Sequence, residues 1–174
     1  DQQISISSQQ NINDPNSFYY FTTNSENGGF SRGIEFDLNA HISKKLFLKT
    51  SVAYLDTWTS KFSYTINNND FQFGGARQAA MAPKITASAS MTYNYKSMSF
   101  AINQSHKGEY YFSDSHNFKS EDYALTNISI NKILDNFKIS VWAKNIFDQK
   151  YAVRGFYFGL IPPNYEDQLW VSYG

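Results

Sequence analysis

Residues 33–54, GIEFDLNAHISKKLFLKTSVAY, alternate apolar and polar side chains on both sides of a short turn. Every second residue is apolar on the way into the turn, and a second, mainly apolar series follows it. The two series are Ile34, Phe36, Leu38, Ala40 and Ile42, then Leu46, Leu48, Thr50, Val52 and Tyr54. Because side chains alternate across a strand, the pattern predicts a hairpin with one apolar and one polar face. Each arm has about the 9–11 residues that a tilted strand needs to cross a bilayer.

The composition excludes several classes of protein. The 174 residues include 15 basic and 15 acidic side chains, and charged residues make up 17% of the chain. A soluble domain averages about 25% charged residues, so ions are scarce here. Zero net charge without a basic block argues against a nucleic-acid partner, which needs clustered Lys and Arg. A mean hydropathy of -0.50 argues against a helical membrane protein, whereas a barrel tolerates it because every second residue faces water. The absence of cysteine excludes disulfides and thiolate sites.

Further alternating segments predict strands at residues 84–93, 98–106, 123–132 and 137–147. Short turns at residues 43–45, 94–97 and 134–136 alternate with long connections at roughly residues 9–29, 57–82, 110–122 and 149 onward. In an up-and-down sheet every second connection lies at the same end, so short turns occupy one end and long loops the other. Sorting of connections by length is typical of an outer-membrane barrel. The sequence therefore predicts an all-β fold: an antiparallel up-and-down transmembrane β-barrel segment of about seven strands, with short periplasmic turns and long extracellular loops.

Aromatic residues lie near both ends of the predicted strands. The long-loop end has residues 18–21 (FYYF), 110–112 and 156–158, and the short-turn end has Phe47, Tyr93, Tyr95 and Phe137. Two aromatic belts are typical of a membrane barrel, although Tyr and Phe are also good strand formers in general. Within the longest connection, residues 62–73 predict a smaller hairpin that turns at residues 67–70.

Several segments resemble the TonB-dependent outer-membrane receptors. Residues 141–159, VWAKNIFDQKYAVRGFYFG, match that family's Asn-Leu-Phe-Asp-x-x-Tyr pattern at Asn145, Phe147, Asp148 and Tyr151. Residues 27–35 resemble the start of one of its strands, Gly75 with residues 82–84 resembles its return from a long loop, and residues 123–127 fit its Tyr-x-Leu-x-Asn spacing. The four segments occur in the family's order over nearly the whole chain.

The resemblance implies a 22-strand barrel that ends on an aromatic residue. Since this chain ends at Gly174, we expect residues 1–174 to be the C-terminal portion of such a barrel, without the plug domain and the final strand. The implied function is active import across the bacterial outer membrane, with outer-membrane lipid around the barrel. A small ligand such as a ferric siderophore would be captured by the outer loops, and TonB–ExbB–ExbD would drive import through the missing N-terminal region.

Four loop residues are candidates for ligand contact: Arg77, Arg154, Tyr157 and Trp170. Arginine and aromatic side chains together bind anionic, aromatic or sugar-like ligands by charge, stacking and cation–π contact. Ordinary solvated loop arginines explain the same pattern, so both interpretations stay open here.

The sequence contains no catalytic motif, and it predicts neither an enzyme nor a cofactor. A metal site would require His106, Glu109, Asp114 and His116, whose spacing fits no standard ligand motif. Glu35, Asp37 and His41 share a polar face that suits a water-filled lumen, and Trp142 also lies on the polar side of its strand. Two other functions remain alternatives: a passive outer-membrane porin or adhesin barrel, and a soluble carbohydrate-binding β-sandwich.

Overall fold

The computed structural model describes residues 4–11, 14–24, 28–66, 69–114, 117–158 and 168–174. Within those ranges no helix has the length and apolar character needed to cross a membrane. The strands in chain order are β1 (Ile4–Asn11), β2 (Asp14–Asn24), β3 (Gly29–His41), β4 (Leu46–Thr59), β5 (Phe62–Ile66), β6 (Asn69–Gly74), β7 (Ile85–Tyr95), β8 (Met98–Lys107), β9 (Tyr110–Tyr111), β10 (Lys119–Ser120), β11 (Tyr123–Leu134), β12 (Phe137–Ala143), β13 (Ala152–Phe158) and β14 (Gln168–Tyr173).

Six of these strands form one antiparallel sheet in the order β12-β11-β8-β7-β4-β3. Neighbours in this sheet are also neighbours along the chain once the loop strands are set aside, so the predicted up-and-down arrangement is confirmed. In the hairpin of β3 and β4, Ile34 lies opposite Tyr54 and Leu38 opposite Thr50, as the alternation requires. The turn is closed by the Ser43 hydroxyl oxygen, which accepts hydrogen bonds from the backbone N–H groups of Lys45 and Leu46 at 3.2 and 3.1 Å.

The register places apolar side chains on one face of the sheet across all six strands. Ile34, Tyr54 and Ile85 form one cross-strand row, and Met91, Ile102 and Ile128 form another. We call this side the apolar face and the opposite side the polar face. Ile34 is 75% exposed and Val141 is 64% exposed. A water-soluble sheet would bury such a continuous surface, whereas a lipid-facing surface needs no protein cover.

The polar face has small and hydrophilic side chains in the same rows. Lys49, Ser90, Asn103 and Asn127 lie side by side on β4, β7, β8 and β11. Glu35, Asp37 and His41 lie on this face of β3, opposite Ala53, Ser51 and Phe47. Trp142 also lies here, opposite Ser129, so its predicted side is confirmed.

The long connections contain strands that the sequence analysis assigned to loops. In the connection at residues 9–29, β2 pairs with β1, so the prediction of a loop there was wrong for residues 14–24. The segments after residue 109 and after residue 149 likewise form the pairs β9–β10 and β13–β14. Tyr and Phe in these segments favour extended backbone, which is the physical reason for the pairing. The hairpin of β5 and β6 is confirmed, but Asn69 and Asp70 belong to β6 and the turn at residues 67–68 lies outside the described residues.

The strand predicted at residues 137–147 ends earlier, at Ala143. The backbone leaves the extended conformation because Asn145 has a φ of 48° and Asp148 a φ of 50°. Within the described residues β3 and β12 are the two edges of the sheet, which is therefore open. Backbone groups at an open edge have no water partners in lipid, so each edge needs a further strand in a membrane.

Candidate functional site

The long-loop end of the sheet is organised by the short hairpin of β9 and β10. Tyr110 is opposite Ser120, and the Phe112 N–H donates to the Phe118 carbonyl at 3.1 Å. The Tyr110 side chain is 1% exposed, and its hydroxyl donates to the Val153 carbonyl at 3.2 Å. This single buried hydroxyl therefore attaches the hairpin to β13, since a buried phenol needs a partner.

Arg77 joins two of the long loops. Its backbone forms an isolated bridge with Thr59, with N–H to O distances of 2.8 and 3.2 Å. Its guanidinium donates to the Ser113 carbonyl at 2.8 Å and to the Asn117 side-chain oxygen, and it lies 4.1 Å from the centre of the Tyr111 ring. A planar guanidinium can form both hydrogen bonds while it stacks on the ring, which an ammonium group cannot do.

Two hydrogen bonds donated by backbone N–H groups strengthen the connection that Arg77 makes. The Met81 N–H donates to the Tyr111 carbonyl at 2.8 Å, and the Ala80 N–H donates to the Asp114 carboxylate at 3.1 Å. Residues 77–81, 110–114 and 117–118 therefore form one packed unit, which we call the loop cluster. Its position at the end opposite the short turns is the predicted extracellular side.

The other three candidate residues lie on the hairpin of β13 and β14. Tyr157 faces the loop cluster, where its ring centre is 5.0 Å from that of Phe118. Arg154 is exposed opposite Ser172, and Trp170 lies opposite Phe156. By strand alternation Arg154 and Trp170 share the face opposite to that of Tyr157. The structure thus brings Arg77 and Tyr157 to one unit and sets Arg154 and Trp170 on the reverse side of the hairpin.

A cavity of about 230 Å³ lies beside the loop cluster and was missed by the sequence analysis. It is lined by charged residues of both signs and by aromatic rings: Phe112, Lys119, Glu121, Asp122, Tyr123, Lys150, Tyr151, Ala152, Val171 and Tyr173. The rings of Tyr123 and Tyr151 stack with centres 4.4 Å apart. Such a lining can hold a polar or aromatic group by hydrogen bonds and stacking. Its residues come from three separate segments of the chain, 112–123, 150–152 and 171–173, so no local spacing in the sequence indicates it.

Lys119, in the lining of this cavity, forms an ion pair. Its ammonium lies 2.7 Å from the Glu109 carboxylate and 4.7 Å from the centre of the Tyr111 ring. The hydrogen bond to Glu109 raises the pKa of Lys119 above its ordinary value, although partial burial opposes the shift. The ion pair therefore keeps the Lys119 ammonium charged and fixes it beside the Tyr111 ring.

The matched motif residues form a tight turn after β12. The Asn145 side chain accepts a hydrogen bond from the Gln149 N–H and donates one to the Gln149 carbonyl, both at 3.0 Å. The Asp148 N–H donates to the Asn145 carbonyl at 2.9 Å. Phe147 is 75% exposed, whereas Tyr151 stacks on Tyr123. The pattern thus has a structural role: it turns the chain and returns it toward β11.

The residues considered for a metal site have other partners or lie apart. Glu109 pairs with Lys119, Asp114 accepts the Ala80 N–H, and His106 lies on the apolar face opposite Ala124. His116 lies outside the described residues. Across the described ranges, no three His, Asp or Glu side chains are grouped so that they could hold a metal ion.

Residues 1–146 match the family model described as TonB dependent receptor-like, beta-barrel. The chain belongs to the TonB-dependent receptor family. At the level of that family, its members are receptors that transport ligands across the bacterial outer membrane. The two-sided sheet agrees with this membership, because a barrel strand needs an apolar face for lipid and a polar face for the lumen.

Proposed function

We propose that this chain is the C-terminal portion of a receptor that imports a scarce nutrient, such as a ferric siderophore, across the outer membrane. TonB, with ExbB and ExbD, would supply the energy through a plug domain that other parts of the protein provide. The open edges at β3 and β12 support the first part of this proposal, since each requires a further strand in lipid.

The observation that carries the proposal is the loop cluster. Three long connections meet at the end opposite the short turns, next to a cavity with tyrosine rings and charges of both signs. We assign Tyr157 to ligand contact at the cluster, where its ring packs on Phe118, and we assign Arg154 and Trp170 to ligand contact on the reverse face of the same hairpin, where Arg154 is exposed. We assign Arg77 to ordering of the loops, because its guanidinium is engaged by Tyr111, Ser113 and Asn117.

The test uses the full-length protein in cells that lack other receptors of this family. Uptake of a panel of radiolabelled ferric siderophores is measured with and without a protonophore, which removes the proton-motive force. We expect uptake of at least one member of the panel and its loss with the protonophore. Uptake that persists with the protonophore indicates passive diffusion, and absence of uptake across the panel excludes siderophores as the ligand.

Variants then separate ligand contact from loop order. Arg154→Ala should weaken ligand binding about tenfold, which corresponds to about 1.4 kcal/mol, without exposing the loops to protease. Arg77→Ala should weaken binding and also increase cleavage of the loops. Arg32→Ala is the matched control, because Arg32 is an exposed arginine paired with Asp56 on the apolar-face side. Unchanged affinity in Arg154→Ala would remove that residue from the site.

A further inference from the structure

Three lysines surround the short-turn end of the apolar face. The Lys45 and Lys96 ammonium groups lie 5.4 and 5.5 Å from the centre of the same ring, that of Tyr95. Tyr95 lies opposite Met98, and Met98 lies opposite Lys132. The Asn94 N–H donates to the Lys45 carbonyl at 2.8 Å, which brings Lys45 to the same level of the sheet. We call Lys45, Lys96 and Lys132 the lysine rim.

An apolar groove lies directly beside the lysine rim on the same face. It has a volume of about 300 Å³, and its lining comes from β7, β8 and β11. Tyr93, Phe100 and Ile130 form its row nearest to the rim, and each is two residues from Tyr95, Met98 and Lys132, respectively. Two residues along a strand span about 7 Å, so the groove and the ammonium groups are adjacent.

Within the described part of the chain, no ion pair involves a lysine of the lysine rim. Both ion pairs in the described part of the chain, Arg32–Asp56 and Lys119–Glu109, lie at the long-loop end. Asp135, in the turn after β11, is three residues from Lys132 along the chain, and it takes part in neither of these ion pairs. Lys96 also has a φ of 52°, a conformation in which Gly and Asn are favoured over Lys. The positive φ places Lys96 in the two-residue turn between β7 and β8, beyond the last paired row of the sheet.

We propose that the groove and the lysine rim together bind one anionic glycerophospholipid of the periplasmic leaflet. An acyl chain occupies the groove, and the phosphodiester lies between the Lys96 and Lys132 ammonium groups, with Lys45 beside it. The apolar stems of the lysines lie along the hydrocarbon while their charges reach the headgroup layer, where anionic lipid attracts them. This site is separate from ligand import, because it lies on the lipid-facing side at the opposite end from the loop cluster.

The test is lipid retention by the full-length protein, measured by native mass spectrometry in detergent with added phosphatidylglycerol or phosphatidylethanolamine. We expect phosphatidylglycerol to be retained in preference, and its affinity to fall at least tenfold in Lys96→Gln/Lys132→Gln. The matched control is Lys49→Gln/Lys144→Gln, which removes the same charge from the polar face of the sheet, where the Lys144 ammonium lies 5.4 Å from the centre of the Trp142 ring. Equal loss in both double variants, or equal retention of the two lipids, would overturn the proposal.

A second variant distinguishes a built site from general attraction of anionic lipid to lysines. Ile102→Trp fills the groove while it leaves all three lysines in place, and Ile102 is already 45% exposed on the apolar face. We expect this variant to lose phosphatidylglycerol retention as well. Full retention in Ile102→Trp, or preferential retention of lipid A over phosphatidylglycerol by the unaltered protein, would contradict a periplasmic-leaflet site.

Discussion

The backbone N–H of Asn145 donates a hydrogen bond of 2.9 Å to the side-chain oxygen of Asn127. The same two segments meet again where Tyr151 stacks on Tyr123. Two motifs that lie about 20 residues apart along the chain are therefore one structural unit, in which the turn after β12 is fastened to the start of β11. The unit explains why both positions are asparagine. The short amide side chain of Asn127 accepts the hydrogen bond, and asparagine at position 145 tolerates a left-handed backbone.

Replacement of Asn145 should separate the contribution of its side-chain hydrogen bonds from that of its left-handed backbone. Asn145→Ala loses both side-chain hydrogen bonds to Gln149 and places alanine at a φ of 48°, so we expect the free energy of unfolding to fall by about 2–3 kcal/mol. Asn145→Gly loses the same hydrogen bonds but suits the backbone, so it should cost about 1 kcal/mol less. Urea unfolding of the full-length protein in lipid vesicles measures both. Equal losses in the two variants would mean that the backbone conformation contributes nothing.

Gly155 provides a second test, in the loop cluster. A Cβ atom on this residue would lie 2.3 Å from the Phe112 ring, so Gly155→Ala should displace that ring and lower stability by about 1–3 kcal/mol. Cleavage of the loops by added protease is the measurement. Gly108→Ala is the control, because its Cβ would lie 3.1 Å from the Ile85 carbonyl oxygen and needs only a small shift.

The contact also makes a prediction for the double variant. In Gly155→Ala/Phe112→Ala the ring is absent, so the added methyl group no longer clashes, and the loss should be smaller than the sum of the single losses. Additive losses would show that Gly155 is required for its backbone rather than for its contact with Phe112.

The sheet was predictable because each of its strands alternates over many residues. Ile34 to Ile42 and Leu46 to Tyr54 repeat the same period on both arms, and the apolar face of a lipid-exposed sheet does not depend on a tertiary core. The strand β2 and the hairpin of β13–β14 lie instead in segments that the sequence predicts as long loops. Long polar connections were expected there from the alternation of short and long segments, and Phe and Tyr in them were interpreted as belts rather than strands.

The site was predictable only by residue type. Arg77 and Tyr157 are candidates as an arginine and an aromatic residue in long loops, but their partners Asn117 and Phe118 are about 40 residues away along the chain. Pairing of loops at that separation follows from tertiary structure and has no local period. The early end of β12 had a usable signal, since asparagine is enriched where φ is positive.

The ion pair of Lys119 with Glu109 predicts a loss of loop order at alkaline pH. The pKa of Lys119 is higher in the folded protein than its ordinary value of 10.5, so the stabilisation is complete below pH 10.5 and is lost as the pH rises through the folded-state pKa. Protease cleavage of residues 109–120, measured from pH 9 to pH 12, should increase on the alkaline side of this range. Lys119→Arg is the control, because guanidinium stays charged and should remove the difference. The same alkaline increase in Lys119→Arg would assign it to another group.

Val141 and Trp142 test the orientation of the sheet in the membrane. The two residues are adjacent on β12, apolar and similarly exposed, at 64% and 67%, but they lie on opposite faces. Val141→Lys puts a charge into lipid, so we expect a loss of about 2–4 kcal/mol in the free energy of unfolding. Trp142→Lys puts the same charge into a water-filled lumen and should cost less than about 1 kcal/mol. Unfolding in vesicles compares the two variants in one series. Equal losses would mean that both faces are covered, as in a soluble sandwich, and a greater loss for Trp142→Lys would mean that the polar face is the one in lipid.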